Sequence, residues 1–315
     1  MAIQHEDAFE TELCEYLAAH GWEYSPNAVG YDKDRALFRD DVFAWLEATQ
    51  PEQLEKLVKP GGNEASRELG RKQILDQIVA VQTTDTMNTG GTLNVLKTSI
   101  GVLNAKFSLF QARPATSLNA KTVERFAANR LRVMRQVVYS TKNTNRIDLV
   151  LFVNGIPVAT VELKTDFTQS IKDATKQYQF DRLPKDAKTG RAEPLLTFKR
   201  GALVHFAAST DEVRMTTFLD GPRTVYLPFN LGNNGAAGNP PNPKGHRTAY
   251  LWENIFQRDA FLEILEKFIH LEKTTKTVDG KKVTTERIIF PRYHQWDLVL
   301  RLAEQLADQR RAPDG

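Results

Sequence analysis

The sequence predicts an α/β fold with a mixed central β-sheet flanked by helices. Three observations carry that expectation. Residues 146–164, RIDLVLFVNGIPVATVELK, hold two short apolar runs joined by Asn154-Gly155. Further apolar runs at 136–140, 202–209 and 213–218 supply more strands. Segments of helical periodicity lie before, between and after them, which is the layering of a sheet covered by helices.

Asn-Gly between apolar runs is a strong signal for a two-residue type I′ hairpin, because both central positions need φ > 0. Strand alternation then sets Glu162 and Lys164 on one face, with Val161 and Leu163 on the other. Asp148 lies near the far end of the partner strand, so folding the hairpin brings its carboxylate toward Glu162. Pro157 has no amide hydrogen, so the second strand is expected to begin there or to lie at an edge.

Two carboxylates and a lysine at one end of a sheet form a costly cluster. Like charges push one pKa up, and a bound divalent cation removes that penalty. Hard oxygen ligands in small number suit Mg²⁺, which keeps several waters and leaves room for a phosphate. The lysine would orient the attacking water or stabilise negative charge developing on phosphorus.

Asp148, thirteen intervening residues, then Glu162-Leu163-Lys164 resembles the PD-(D/E)xK nuclease core. The surroundings resemble the restriction subunit of type I restriction-modification enzymes. YSTKNTNRIDLVLFVNGIPVATVELK, TVYLPFNLGNNGAAGNP, TAYLWENIFQRDAFLEILEKFI and IIFPRYHQWDLVL occur in that family's order, and FETELCEYLAAHGWEY is similar more weakly. The resemblance implies a restriction-endonuclease-like fold and a DNA endonuclease that depends on Mg²⁺. Asp148, Glu162 and the main-chain carbonyl of Leu163 would hold the ion, and Lys164 would complete the catalytic set. It further implies cleavage of both strands after ATP-driven translocation, in a complex with modification (methyltransferase) and specificity subunits. ATP would belong to the full-length subunit alone. An alternative of another class is an inactive docking or DNA-binding module of a helicase subunit. A third is a repair-type exonuclease that cuts unaided.

The resemblance divides the chain into an endonuclease domain, 1–270, and a linker with the truncated beginning of a superfamily-2 helicase motor domain, 271–315. Arg292 and Gln295 are the positions carried over to nucleotide binding. No Walker A loop follows them, so the chain is expected to be a fragment that cannot hydrolyse ATP.

Length and composition set wide bounds. A chain of 315 residues, 41% hydrophobic and 26% charged, is an ordinary globular protein. A net charge of +3, from 42 basic and 39 acidic residues, says nothing about nucleic acid by itself. Cys14 is the only cysteine, which excludes an intramolecular disulfide and a cysteine-based zinc site. The charged N-terminus is no secretory signal, and no window approaches the roughly 18 apolar residues of a membrane span. A cytoplasmic protein is the expectation.

The remaining elements follow from local pattern. Phe9, Leu13, Tyr16 and Leu17 make one face of a helix over 7–20, and Gly21 stops it. The nuclease resemblance suggests that Glu10 or Glu12 on this helix joins the metal site; the plain alternative is solvated charge. Residues 40–48, 51–58 and 67–81 read as helices, with a break at Gly61-Gly62 and a Thr/Asn/Gly-rich stretch at 82–91. Residues 122–135 read as a helix carrying Arg125, Arg130, Arg132 and Arg135. These, with Arg146, either neutralise DNA phosphates or form a solvated basic face.

Thr168 is a credible N-cap for a helix whose face holds Ile171, Ala174 and Tyr178. Gln177 matches the glutamine of the QxxxY element found in some related nucleases, but the tyrosine position is Asp181. His205, inside an apolar run, reads as a satisfied core histidine. Residues 231–245 are rich in Gly, Asn and Pro, lack GxxxxGK[ST], and read as a long surface loop. Residues 252–270 read as one amphipathic helix, and 272–286 as a charged hairpin turning at Asp279-Gly280.

Overall fold

The computed structural model describes residues 2–84, 91–165, 170–278 and 281–311. The chain opens with helix α1 (Ala2–Ala19), whose Phe9, Leu13, Cys14 and Leu17 are buried. Strand β1 (Glu23–Ser25) and the short pair β2 (Tyr31–Asp32) and β3 (Leu37–Phe38) follow. Helices α2 (Arg39–Thr49), α3 (Pro51–Leu54), α4 (Glu64–Thr83) and α5 (Gly91–Lys97) lead to a hairpin of β4 (Ser99–Val102) and β5 (Ala105–Ser108). Asn63 caps α4 by accepting from the Ser66 amide.

After α6 (Ala120–Ala127) the chain enters the sheet with β6 (Leu131–Val138), β7 (Arg146–Val153) and β8 (Ile156–Leu163). Helix α7 (Ile171–Lys176) crosses to β9 (Val204–Ala208), followed by β10 (Val213–Thr216) and β11 (Leu227–Pro228). The seven strands lie in the order β1-β6-β7-β8-β9-β10-β11. The β1–β6 and β8–β9 pairs are parallel and the others antiparallel, so the sheet is mixed, as expected.

Two apolar layers sandwich this sheet. One contains Leu13, Leu149, Leu151, Phe206, Trp252 and Phe256; the other contains Met134, Val150, Phe152, Tyr178 and Leu195. Burial on both faces is why β7 and β8 read as continuous apolar runs rather than alternating ones.

The hairpin forms with the expected turn. Asn154 has φ 51° and Gly155 has φ 77°, and Val153 pairs with Ile156 across it. Asn154 is fully buried, with its amide donating to the Leu109 carbonyl at 2.9 Å and its Oδ1 accepting from the Arg130 amide at 2.7 Å. Pro157 falls at the start of the second strand, one of the two expectations: β8 begins at Ile156, and Pro157 stands opposite Phe152 at an irregularity between Leu151 and Phe152.

Two expected helices are corrected. The one over 122–135 ends at Ala127, and Arg132 and Arg135 lie on strand β6. Asn129 closes the helix by donating to the Phe126 carbonyl, and pairing with β7 then outweighs the helix propensity of the arginines. The helix over 252–270 breaks at Gln257. There the backbone is extended, and the side chain caps α8 (Arg258–Glu263) by accepting from the Asp259 and Ala260 amides. The Phe256 carbonyl left by the break accepts from Trp22 Nε1 at 2.8 Å.

Helix α7 begins one residue past a segment outside the described residues, in which the expected cap Thr168 falls. Ser170 forms a capping box with Asp173 instead. Strands β12 (His270–Val278) and β13 (Lys281–Ile289) make the expected hairpin, with Asp279-Gly280 outside the described residues. Phe290 then packs against Phe206 and Phe229, and α9 (Tyr293–Arg311) follows. Residues 231–245 form an irregular loop with one bridge, Asn233 to Ala236.

Gly155 is where the turn cannot accept a side chain. A Cβ there would stand 2.3 Å from the Phe38 carbonyl oxygen and 2.7 Å from Val42 Cγ2. Gly155→Ala is expected to cost more than about 2 kcal/mol in urea denaturation, because strain and overlap with backbone act together. An unchanged midpoint would mean that the turn relaxes freely.

Candidate active site

Hairpin pairing sets Leu149 opposite Val161, so Asp148 and Glu162 come to the same end of β7 and β8. Asp148 Oδ2 accepts from the Leu163 amide at 2.8 Å, which fixes the carboxylate against the next strand. Glu162 is fully buried; its Oε1 accepts from Arg182 Nε at 2.9 Å, while Oε2 has no hydrogen-bond partner. Burial and then the Asp148 charge push Glu162 well above the usual carboxylate range, with Arg182 and Lys164 opposing. Lys164 is also buried, and its ammonium pairs with Glu6 of α1 at 2.5 Å.

Helix α1 contributes a third acid. Of its two candidates, Glu10 is buried beside the pair, whereas Glu12 is exposed and faces His246 Nε2 at 3.2 Å. Arg135 Nε stands 2.8 Å from Glu10 Oε1, and Gln136 Nε2 donates to both Glu10 oxygens, at 3.0 and 3.2 Å. Burial, followed by repulsion from Asp148, raises Glu10 from 4.5 to about 7. Gln136 has φ 50°, a conformation that costs a non-glycine residue about 1 kcal/mol or more.

The other expected residues are dispersed. Arg132 donates to Asp41 at 2.6 and 2.9 Å, to Ser25 and to Glu23, so its guanidinium is spent inside the protein. Arg135 is likewise held by Glu10 and Asp7. Arg125 lies toward the turn end of the sheet, lining a cavity of about 620 Å³ with Lys106 and Lys121. Arg146, by contrast, is exposed two residues before Asp148 and shares its face.

Gln177 sits after α7 with a buried Oε1 that no donor reaches. Tyr178 packs in the core and its hydroxyl shares a 2.7 Å hydrogen bond with Thr160. His205 bonds the same threonine at 2.8 Å, and burial lowers its pKa to about 3, so it is a neutral core histidine as expected. Gln295 and Arg292 form a reciprocal cap at the start of α9: the Gln295 side chain accepts from the Arg292 amide at 2.9 Å, and the Gln295 amide donates back at 3.0 Å.

Among the described residues no group of three or more His, Cys, Asp or Glu side chains is placed to hold a metal ion. Asp148 and Glu162, whose carboxylates repel one another, are the residues that could hold a cation. The orphaned Glu162 Oε2 and the repulsion between the two carboxylates are what a divalent ion would satisfy. Arg182, Gln136 and Glu6 were not legible beforehand. They arrive from three different elements, and neither spacing nor periodicity marks them.

A mixed seven-stranded sheet with helices on its faces and acidic residues at the end of a central hairpin defines a restriction-endonuclease-like α/β fold. A sequence profile of the family described as Type I restriction enzyme R protein N terminus (HSDR_N) matches residues 3–224. The chain belongs to that family. No curated protein matches the chain significantly.

The raised Glu10 pKa has a consequence for stability. Between about 4.5 and about 7 the folded chain keeps a proton that the unfolded chain releases, so stability falls as pH rises through that window. Glu10→Gln cannot ionise and is expected to raise Tm at pH 8, with no gain below pH ~4.5. A lower Tm at pH 8 would show instead that the Arg135 pair outweighs desolvation.

Proposed function

We propose that the chain is the nuclease portion of a type I restriction subunit and hydrolyses DNA phosphodiester bonds with Mg²⁺. The observation that carries this reading is the placement of Asp148 and Glu162 side by side, with one carboxylate oxygen buried and unpartnered. Asp148 and Glu162 would hold the ion with the Leu163 carbonyl and water. A Mg²⁺ ion there would supply charge neutralisation and lower the pKa of a bound water.

The chain's own groups prepare that site. The Leu163 amide orients Asp148, and Arg182 holds one Glu162 oxygen while leaving the other for a ligand. Lys164 points its ammonium to the same region and would exchange Glu6 for the negative charge of a scissile phosphate. Arg146, exposed at the rim, would meet a backbone phosphate, a contact that carries no sequence information. Sequence choice then falls to a specificity subunit, and modification subunits complete the complex. In the full-length subunit, ATP would drive translocation, with Arg292 and Gln295 beside the nucleotide.

One observation favours the second reading, a docking module without activity. Asp148, Glu162 and Lys164 are all buried, and Lys164 already has a carboxylate partner. The metal decides between them: Mn²⁺ binding by calorimetry that Asp148→Ala and Glu162→Ala abolish fits the nuclease, and no binding at millimolar Mn²⁺ with DNA present fits the module.

In the assembled enzyme, Asp148→Ala, Glu162→Ala and Lys164→Ala are each expected to reduce Mg²⁺-dependent DNA cleavage by about a hundredfold or more, with unchanged circular dichroism. Full cleavage by any of the three would overturn the assignment.

A further inference from the structure

Gln136 carries an unusual backbone for its place. Among the described non-glycine residues with positive φ, Ala36, Leu103, Asn154, Lys199 and Asn234 all lie in turns. Gln136 alone lies within a strand. Strand β6 pairs Arg135 with Leu149 and Val137 with Ile147, and the ladder skips the position between them, where Gln136 faces Asp148. A left-handed residue inside a strand costs both strain and a ladder pair, and persists only where surrounding structure enforces it.

What this conformation delivers is an amide between two acids from different elements. Gln136 Nε2 donates to Glu10 on α1 at 3.0 and 3.2 Å and reaches Asp148 Oδ1 on β7 at 3.4 Å. A carboxamide nitrogen offers two hydrogens, so it can serve one carboxylate with each. No other side chain among the described residues donates to both. Arg135, the neighbouring residue, pairs with Glu10 and Asp7 on α1.

We propose that Gln136 is a positioning residue that ties Glu10 to Asp148 in one frame, so that the metal-binding carboxylate is held before the ion arrives. It touches neither ion nor substrate on this reading. The inference rests on the proposed Mg²⁺ site, and it adds a residue that no motif marks. The strain in β6 is then the cost of a function, and relieving it should separate stability from metal binding.

Two variants of the intact chain test this. Gln136→Gly removes the amide and accepts positive φ without strain, whereas Gln136→Met keeps side-chain length and strain but cannot donate. Mn²⁺ affinity by calorimetry is expected to fall about tenfold in both, with Tm higher in Gln136→Gly than in Gln136→Met, because both lose the amide and only the methionine keeps the strain. If the parent binds Mn²⁺ and both variants bind it equally well, the positioning role is wrong while the metal site stands. Loss of affinity in Gln136→Gly alone would assign the effect to the backbone and also overturn the role of the amide. If the parent binds no Mn²⁺, the metal-site reading itself fails, and the tie between Glu10 and Asp148 has no ion to serve.

Discussion

Electrostatic repulsion among three carboxylates gathered at one end of an apolar sheet governs this structure. Glu10, Asp148 and Glu162 come from α1, β7 and β8, and burial takes away the water that would separate their charges. Moving each into low dielectric costs several kcal/mol unless it is paired or protonated. The fold uses both remedies. Arg135, Arg182 and the Gln136 amide face the acids, while Glu10 and Glu162 are pushed up toward carrying protons.

The rest of the molecule holds that cluster in place. The Asn154-Gly155 turn pins the far end of the hairpin against Phe38 and Val42, so the register that places Asp148 beside Glu162 cannot slip. Helix α1 is anchored by its buried stripe of Phe9, Leu13 and Leu17, and by Arg135 from β6. Behind Glu162, Thr160 joins Tyr178 and His205 in a buried polar chain with its bonds satisfied. A frame of this kind would suit the proposed cation site, whose groups need narrow geometric limits.

Membership of the type I restriction R-protein N-terminal family and this arrangement of acids point the same way. The arginines divide by environment rather than by sequence position. Arg132 and Arg135 are consumed by internal carboxylates, Arg125 lies toward the opposite end of the sheet, and Arg146 stands at the rim. The closed state of Lys164, paired with Glu6, means that α1 both supports the site and covers its lysine. No helix among the described residues is long and apolar enough to cross a membrane.

Much of the fold was legible in the linear chain because short-range rules govern it. Asn-Gly demands positive φ at both positions, apolar runs flanked by turns make strands, and α1 follows from a periodic stripe, so the hairpin and the acids it carries could be read directly. Local helix preference gave way where tertiary pairing competed with it. The end of the arginine-rich 122–135 segment became strand once β7 offered a partner, and the 252–270 helix broke where Gln257 caps α8. The counter-groups were hidden for a different reason. Glu6 reaches Lys164 only when the sheet closes against α1, Arg182 reaches Glu162 only from the segment after α7, and Gln136 reaches Asp148 only through a positive φ in the neighbouring strand that no local rule announces.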